Sequence, residues 1–111
     1  MAEAYKILAQ ANLTTTSDTD IYTVPSATET VVSTLVIANI GTVATTFNLA
    51  VRPDAETLAN KHYIAKGVPI AASDSTTLTL GITLGDTDRI TATAGTANAL
   101  SFNIFGTEIT A

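Results

Sequence analysis

The pattern that most constrains this chain is a recurrence of short runs in which apolar and polar residues alternate. In Thr45-Thr46-Phe47-Asn48-Leu49-Ala50-Val51-Arg52, the residues Phe47, Leu49 and Val51 share one side, and Thr46, Asn48 and Arg52 share the other. Thr77 to Leu84 repeats this with Leu78, Leu80, Ile82 and Leu84, and Leu100, Phe102 and Ile104 alternate with Ser101, Asn103 and Phe105. A period of two belongs to a strand with one face on a core. Thr30 to Ile40 is more continuously apolar, through Val31, Val32, Leu35, Val36 and Ile37, which predicts a central strand covered on both faces. Turn residues separate the runs: Pro25-Ser26-Ala27, then Asn39-Ile40-Gly41-Thr42 as a hairpin turn, Pro53-Asp54, Ala72-Ser73-Asp74-Ser75 and Gly85-Asp86. Short strands at this spacing predict an all-β fold, an antiparallel β-sandwich or jelly roll of about eight strands. Its expected core comprises Val32, Leu35, Ile37, Phe47, Leu49, Val51, Leu78, Leu80, Ile82, Leu84, Ile90, Phe102 and Ile104.

A chain of 111 residues suits a single domain. The alternating runs place the sandwich in residues 20–111 and leave 1–19 as an N-terminal arm or a first strand. Residues 3–11 carry two patterns. Ala4, Ile7, Leu8 and Ala11 stand at helical spacing, whereas in an extended chain Tyr5, Ile7 and Ala9 fall on one side. As an arm, this segment would add a strand to a neighbouring subunit and place alternate side chains in its pockets. Residues 54–60 read as one helical turn or a loop before a strand over Lys61–Ala65.

The net charge is −5, from ten acidic and five basic residues. Lys6, Arg52, Lys61, Lys66 and Arg89 are scattered, while phosphate and anionic lipid both require clustered cations, so neither nucleic acid nor membrane is an expected partner. There is no cysteine, which removes disulfides and thiolate metal sites. Met1 to Lys6 has neither a basic region nor an apolar stretch of a secretory leader, and no run approaches the roughly 18–20 apolar residues of a membrane helix, so synthesis in the cytoplasm is expected. Charged residues make up only 14%, and threonine occurs 22 times. Threonine fits a pleated, half-wet surface, and interface cores are depleted in charge because desolvating it is costly. Such a surface suits being covered.

Reactive constellations are scarce. His62 stands among Lys61, Tyr63 and Ile64 without the Ser, Cys or carboxylate spacing of a triad or zinc site, and reads as a partly exposed or inter-subunit hydrogen-bonding residue. Asp18-Thr19-Asp20 and Asp86-Thr87-Asp88 offer carboxylates for Ca²⁺, but lack the glycine and distal glutamate of an EF-hand loop and equally suit tight turns. The glycines form no phosphate-cradling motif. No catalytic residue, cofactor or metal is therefore expected. Carbohydrate binding is the rival from another class, with Tyr22 and Tyr63 as candidate stacking residues.

The ordered series Ile21-Tyr22-Thr23-Val24-Pro25, Val31 to Asn39, Leu49-Ala50-Val51-Arg52-Pro53, Lys61-His62-Tyr63-Ile64, Val68-Pro69-Ile70, Thr79 to Asp86 and Phe105-Gly106-Thr107-Glu108-Ile109 resembles small β-sandwich virion proteins of tailed bacteriophages, over residues 20–109. The resemblance implies a non-enzymatic particle component: a capsid cement or decoration protein, or else a neck, tail or fibre-adaptor protein. Its expected partners are further copies of itself, as a trimer or other homo-oligomer, and the major capsid or other virion proteins. Tyr5, Ile7, Ala9, His62 and Tyr63 are the candidate contact residues. Far-ultraviolet circular dichroism should show a strand-dominated spectrum; a helical one would contradict the fold.

Overall fold

The computed structural model describes residues 2–54 and 56–110, without the side chain of Leu80. Eight strands form: β1 (Ala2–Asn12), β2 (Thr19–Thr23), β3 (Thr28–Asn39), β4 (Thr45–Arg52), β5 (Tyr63–Ile70), β6 (Ser75–Leu84), β7 (Arg89–Ala94) and β8 (Leu100–Thr110). A 3-10 turn, Asn60–His62, precedes β5, and residues 56–59 are a loop that ends in this turn, while Ala55 lies outside the described residues. No helix among the described residues is long and apolar enough to cross a membrane.

The strands make two antiparallel four-stranded sheets, ordered β1-β8-β3-β6 and β2-β7-β4-β5. The first strand pairs with the last, β2 with β7, β3 with β6 and β4 with β5. One long hairpin is thus rolled into two layers, with β3–β8 and β4–β7 as the joining pairs. This is the eight-stranded jelly roll.

Two sequence expectations change here. Asn39 to Thr42 is not a hairpin turn, because β3 and β4 lie in different sheets. The chain crosses there from one layer to the other, held by the buried Asn39 side chain. Its Nδ2 donates to the carbonyls of Val43 (3.0 Å) and Ile70 (3.2 Å), and its Oδ1 accepts from the Gly41 amide (2.9 Å). Nor is β3 covered on both faces. Thr28, Thr30, Val32, Leu35, Ile37 and Asn39 are buried, while Val31 and Val36 on the other face are only half-buried. The change of phase between Val32 and Leu35 is a bulge at Ser33, seen in the register with both neighbours. The bulge lets two apolar alternations run together as one continuous stretch.

The core lies between the sheets and contains Val32, Leu35, Ile37, Phe47, Leu49, Leu84, Ile90, Phe102 and Ile104 as expected, with Val51, Leu78 and Ile82 packed at its margin. Leu13, Tyr22, Val24, Ile70 and Leu100 join it. Ala92 and Ala94 are also buried, paired beside Leu49 and Phe47, so small residues on β7 make room for large ones on β4.

Gly106 stands opposite Val32, beside the β3 bulge. A Cβ there would lie 2.1 Å from the Val31 carbonyl oxygen and 3.0 Å from the Val32 Cα, both backbone atoms that cannot rotate away. Gly106→Ala is therefore expected to destabilise the fold by about 1–3 kcal/mol, and Leu49→Ala or Phe102→Ala by about 2–5 kcal/mol. Urea unfolding measures all three; a Gly106→Ala protein as stable as wild type would contradict the close approach.

Candidate functional site

A sandwich has two outer faces, and here they differ. On the β2-β7-β4-β5 sheet most polar side chains pair with one another, although Arg89 Nε is buried without a partner among the described residues. Arg52 and Arg89 are direct cross-strand neighbours, an unfavourable pair on its own. The Asp20 carboxylate lies between them, accepting from Arg52 Nη2 at 2.5 Å, Arg89 Nη1 at 3.1 Å and the Thr91 hydroxyl at 2.8 Å. Arg52 Nε donates to the same hydroxyl, and its Nη1 to the Glu56 carbonyl. Burial pushes Asp20 up, but these donors outweigh it and hold the carboxyl below its ordinary value. Thr93 donates to Asp18, and Asn48 accepts from the Gly67 amide.

The second aspartate motif works in the same way. Asp86 accepts from the Ala27 amide, and Asp88 from the amides of Asp54 and Gly85, so these side chains tie neighbouring loops together. Among the described residues there is no group of three metal-ligating side chains.

The outer face of the β1-β8-β3-β6 sheet is different. Its register gives cross-strand rows: Glu3–Ile109–Glu29, Tyr5–Thr107–Val31–Thr83, Ile7–Phe105–Thr34–Thr79, Gln10–Asn103–Val36–Thr77 and Asn12–Ser101–Ala38–Ser75. Charge is confined to Glu3 and Glu29 in the end row. Tyr5 is 81% exposed and Ile7 54%, and Phe105, Ile109, Val31 and Val36 are half-buried beside them. Apolar, hydroxyl and amide side chains thus make this face nearly free of charge. At the opposite end, the 40–44 loop projects Ile40 (62% exposed) and Val43 (70%).

β1 carries Tyr5 and Ile7 onto this face as the edge strand of the chain's own sheet, paired with β8 from Ala2 to Asn12. The helical spacing in this segment is not used. A bulge at Leu8 breaks the alternation, so Ala9 falls on the inner side with Leu8 and Ala11, all packed against the core. Tyr5 and Ile7 thus stand together, and Ala9 does not share their face. Lys6, between them, turns inward and pairs with Glu108 Oε1 at 2.5 Å. Glu108 Oε2 accepts from the Tyr22 hydroxyl at 2.6 Å, and that oxygen lies 2.9 Å from Thr30 Oγ1. The single phenolic proton goes to the carboxylate, so Thr30 is the donor to Tyr22. The cluster joins β1, β3 and β8 of one sheet to β2 of the other.

His62 is buried in its own chain rather than held at a surface. Its Nδ1 accepts from the Ala59 amide at 2.9 Å, which places the ring proton on Nε2, 3.1 Å from Glu56 Oε1. It shapes the loop before β5. Tyr63 is half-buried on the other sheet, under the Lys66 ammonium at 4.4 Å. Tyr22 is buried, so it offers no ring for a sugar. The candidate contact residues therefore do not converge: only Tyr5 and Ile7 belong to the neutral face. Phe105, Ile109, Val31 and Val36 complete it. Val31 and Val36 lay within the long apolar run of β3, whereas Phe105 and Ile109 come from β8 and carried no such signal.

The described residues thus form a jelly roll with one face rich in paired charges and one neutral, partly apolar face. No family model matches its sequence, and no curated protein matches it. Solved structures do share the fold. A chain in the acidic stable capsid structure of Helicobacter pylori bacteriophage KHP30 superposes with a TM-score of 0.54 at 15% identity, over 96% of this chain and 90% of that one. Chains in the structures of infectious bursal disease virus strains Gx and Gt superpose with TM-scores of 0.55 and 0.51 at 7% identity, over 96% of this chain. This chain spans only 30% of the length of each of those.

The Tyr22–Glu108 cluster predicts how stability depends on pH. Donation from Lys6 and then from Tyr22 holds Glu108 below its ordinary value of 4.5. A depressed carboxyl stabilises the fold fully above that value, and the contribution disappears as pH falls through the lower, folded one. Burial, reinforced by Glu108, pushes Tyr22 up to about 12 from 10.0. Its contribution is complete below pH 10.0 and disappears as pH rises toward 12. Urea midpoints measured against pH should fall in both windows. Glu108→Gln should make the acid limb shallower, and Tyr22→Phe should do the same to the alkaline limb. Limbs unchanged in both variants would refute the coupling.

Proposed function

We infer that this chain is a non-enzymatic structural component of a virus particle, and specifically a cement or decoration protein of a phage head that bridges shell subunits. The observation that carries this reading is the superposition of nearly the whole chain on nearly the whole of a chain from the KHP30 capsid structure. A jelly roll of this size, complete in itself, is thus found as a unit within a phage capsid. The fold alone does not assign the role; the outer face of the β1-β8-β3-β6 sheet supports it.

A cement protein must cover a junction broadly and weakly at each contact, many times over. The near absence of charge on that face lowers the cost of desolvating it. A standard interface buries about 800 Å² per partner, and repetition over a lattice multiplies the effect of each contact. Further copies of the chain close around a symmetry axis as a homo-oligomer, with a trimer as the expected form. A neck, tail or fibre-adaptor role uses similar contacts but a different number of copies.

Purified protein added to shells that lack it should bind saturably, in proportion to the shell protein, and raise the temperature at which the shells rupture. Binding in numbers that fill only one ring at a single vertex would assign it to the neck or tail. Absence from purified particles, together with retention on a glycan array, would overturn the virion reading.

A further inference from the structure

Glu29 differs from every other acidic residue of the chain. Glu3, Asp18, Asp20, Asp54, Glu56, Asp74, Asp86, Asp88 and Glu108 each accept at least one hydrogen bond from a neighbour. Glu29 accepts none among the described residues, although it lies on a sheet and not at a frayed end. Among the described residues no lysine or arginine is paired with it. Lys6 is paired with Glu108, Arg52 and Arg89 with Asp20, and Lys61 with Glu56, while Lys66 sits over Tyr63.

The surroundings of Glu29 are equally specific. It lines a groove of about 250 Å³ at the end of the neutral face. Val31, Thr83, Gly85 and Ile109 line it together with the Thr30–Leu84 pair of β3 and β6, whose side chains turn to the core. Val31 and Ile109 are half-buried, whereas Glu29 and Thr83 are exposed at the rim. A carboxylate at the mouth of an apolar slot matches a side chain that has a long aliphatic stem and a cationic head.

We propose that the Glu29 groove receives a lysine or arginine side chain of a different protein, and that this contact sets the register of docking on the neutral face. Charge complementarity selects the occupant. A second copy of this chain brings a net charge of −5, and among its described residues Lys66 is the one lysine or arginine outside a salt bridge. A partner with a free basic side chain brings what the groove lacks. The aliphatic stem lies along Val31 and Ile109, the head meets Glu29, and the rows from Tyr5 to Val36 make the broader contact. This deepens the particle reading and rests on it, with the shell protein as the partner.

Wild-type and variant proteins are titrated onto shells that lack the protein, and bound protein is measured after sedimentation. Glu29→Lys should weaken binding by about tenfold or more, since it sets like charges against each other where a pair was formed. Thr83→Trp, which fills the groove without altering charge, should weaken it similarly. Glu56→Gln, on the opposite side of the sandwich, should bind as wild type. All variants should melt close to wild type, because the altered residues are exposed. If wild type binds and Glu29→Lys binds equally well, the groove proposal fails while the particle reading stands. Weakening by Glu29→Lys but not by Thr83→Trp reduces Glu29 to long-range steering and also overturns it. If Glu29→Lys changes the oligomeric state of the isolated protein, the occupant is a second copy and the proposal is wrong. If wild type does not bind shells at all, the particle reading fails and takes this inference with it.

Discussion

In a two-layer sandwich every residue turned inward has neighbours turned outward, so burying one core creates two outer faces. What this chain does with those faces governs the rest of its structure. The β2-β7-β4-β5 sheet closes its own surface: Asp20 lies between two arginines, Thr91 passes a hydrogen bond between them, and Asn48 and Thr93 take up nearby partners. The β1-β8-β3-β6 sheet meets solvent with Thr, Val, Ile, Phe and Tyr, and with charge only in its end row. Its cationic side chain, Lys6, lies half-exposed on the inner side of the sheet and pairs with Glu108. The asymmetry follows from where few charges are placed.

That face is also held in shape. Its edge strand is fastened from behind, since the Lys6–Glu108–Tyr22 cluster ties β1 to β8 and to the opposite sheet. Turning Lys6 inward is what turns Tyr5 and Ile7 outward, by strand alternation. In the middle of the sheet the Ser33 bulge and Gly106 let β3 and β8 approach closely, and Ser33 donates to the Phe105 carbonyl. Bulges increase local twist, so the surface is a fixed, twisted sheet. A rigid face loses little conformational freedom on docking, which favours repeated weak contacts.

The jelly roll by itself supports many functions, and the superposed virus chains share little sequence with this one. The functional content therefore lies in surface chemistry. On the neutral face half-buried aliphatic residues stand without a cover, and neither Glu3 nor Glu29 has a salt-bridge partner among the described residues.

The sequence by itself determined the strands whose alternation is clear, β4, β6 and β8, and which of their residues turn inward, because a period of two is a local property that a few residues display. It therefore placed Phe47, Leu49, Phe102 and Ile104 in a core, and β4 at Thr45–Arg52, without knowledge of neighbours. It could not reveal that the turn after Asn39 crosses between sheets, since a turn signal marks a reversal and not the strand that will be paired. Bulges at Leu8 and Ser33 were equally hidden, because each arises from the match between two strands. Ala92 and Ala94 carry too weak an apolar signal to be read as core, and are buried only because Leu49 and Phe47 stand beside them. Burial of Tyr22 and His62 likewise depends on partners far along the chain or folded back in a loop. Above all, alternation says that a strand has two sides but not what covers each. Only the tertiary structure, by pairing Ala2 with Thr110 and rolling the long hairpin into two layers, decided which face was closed and which was left to a partner.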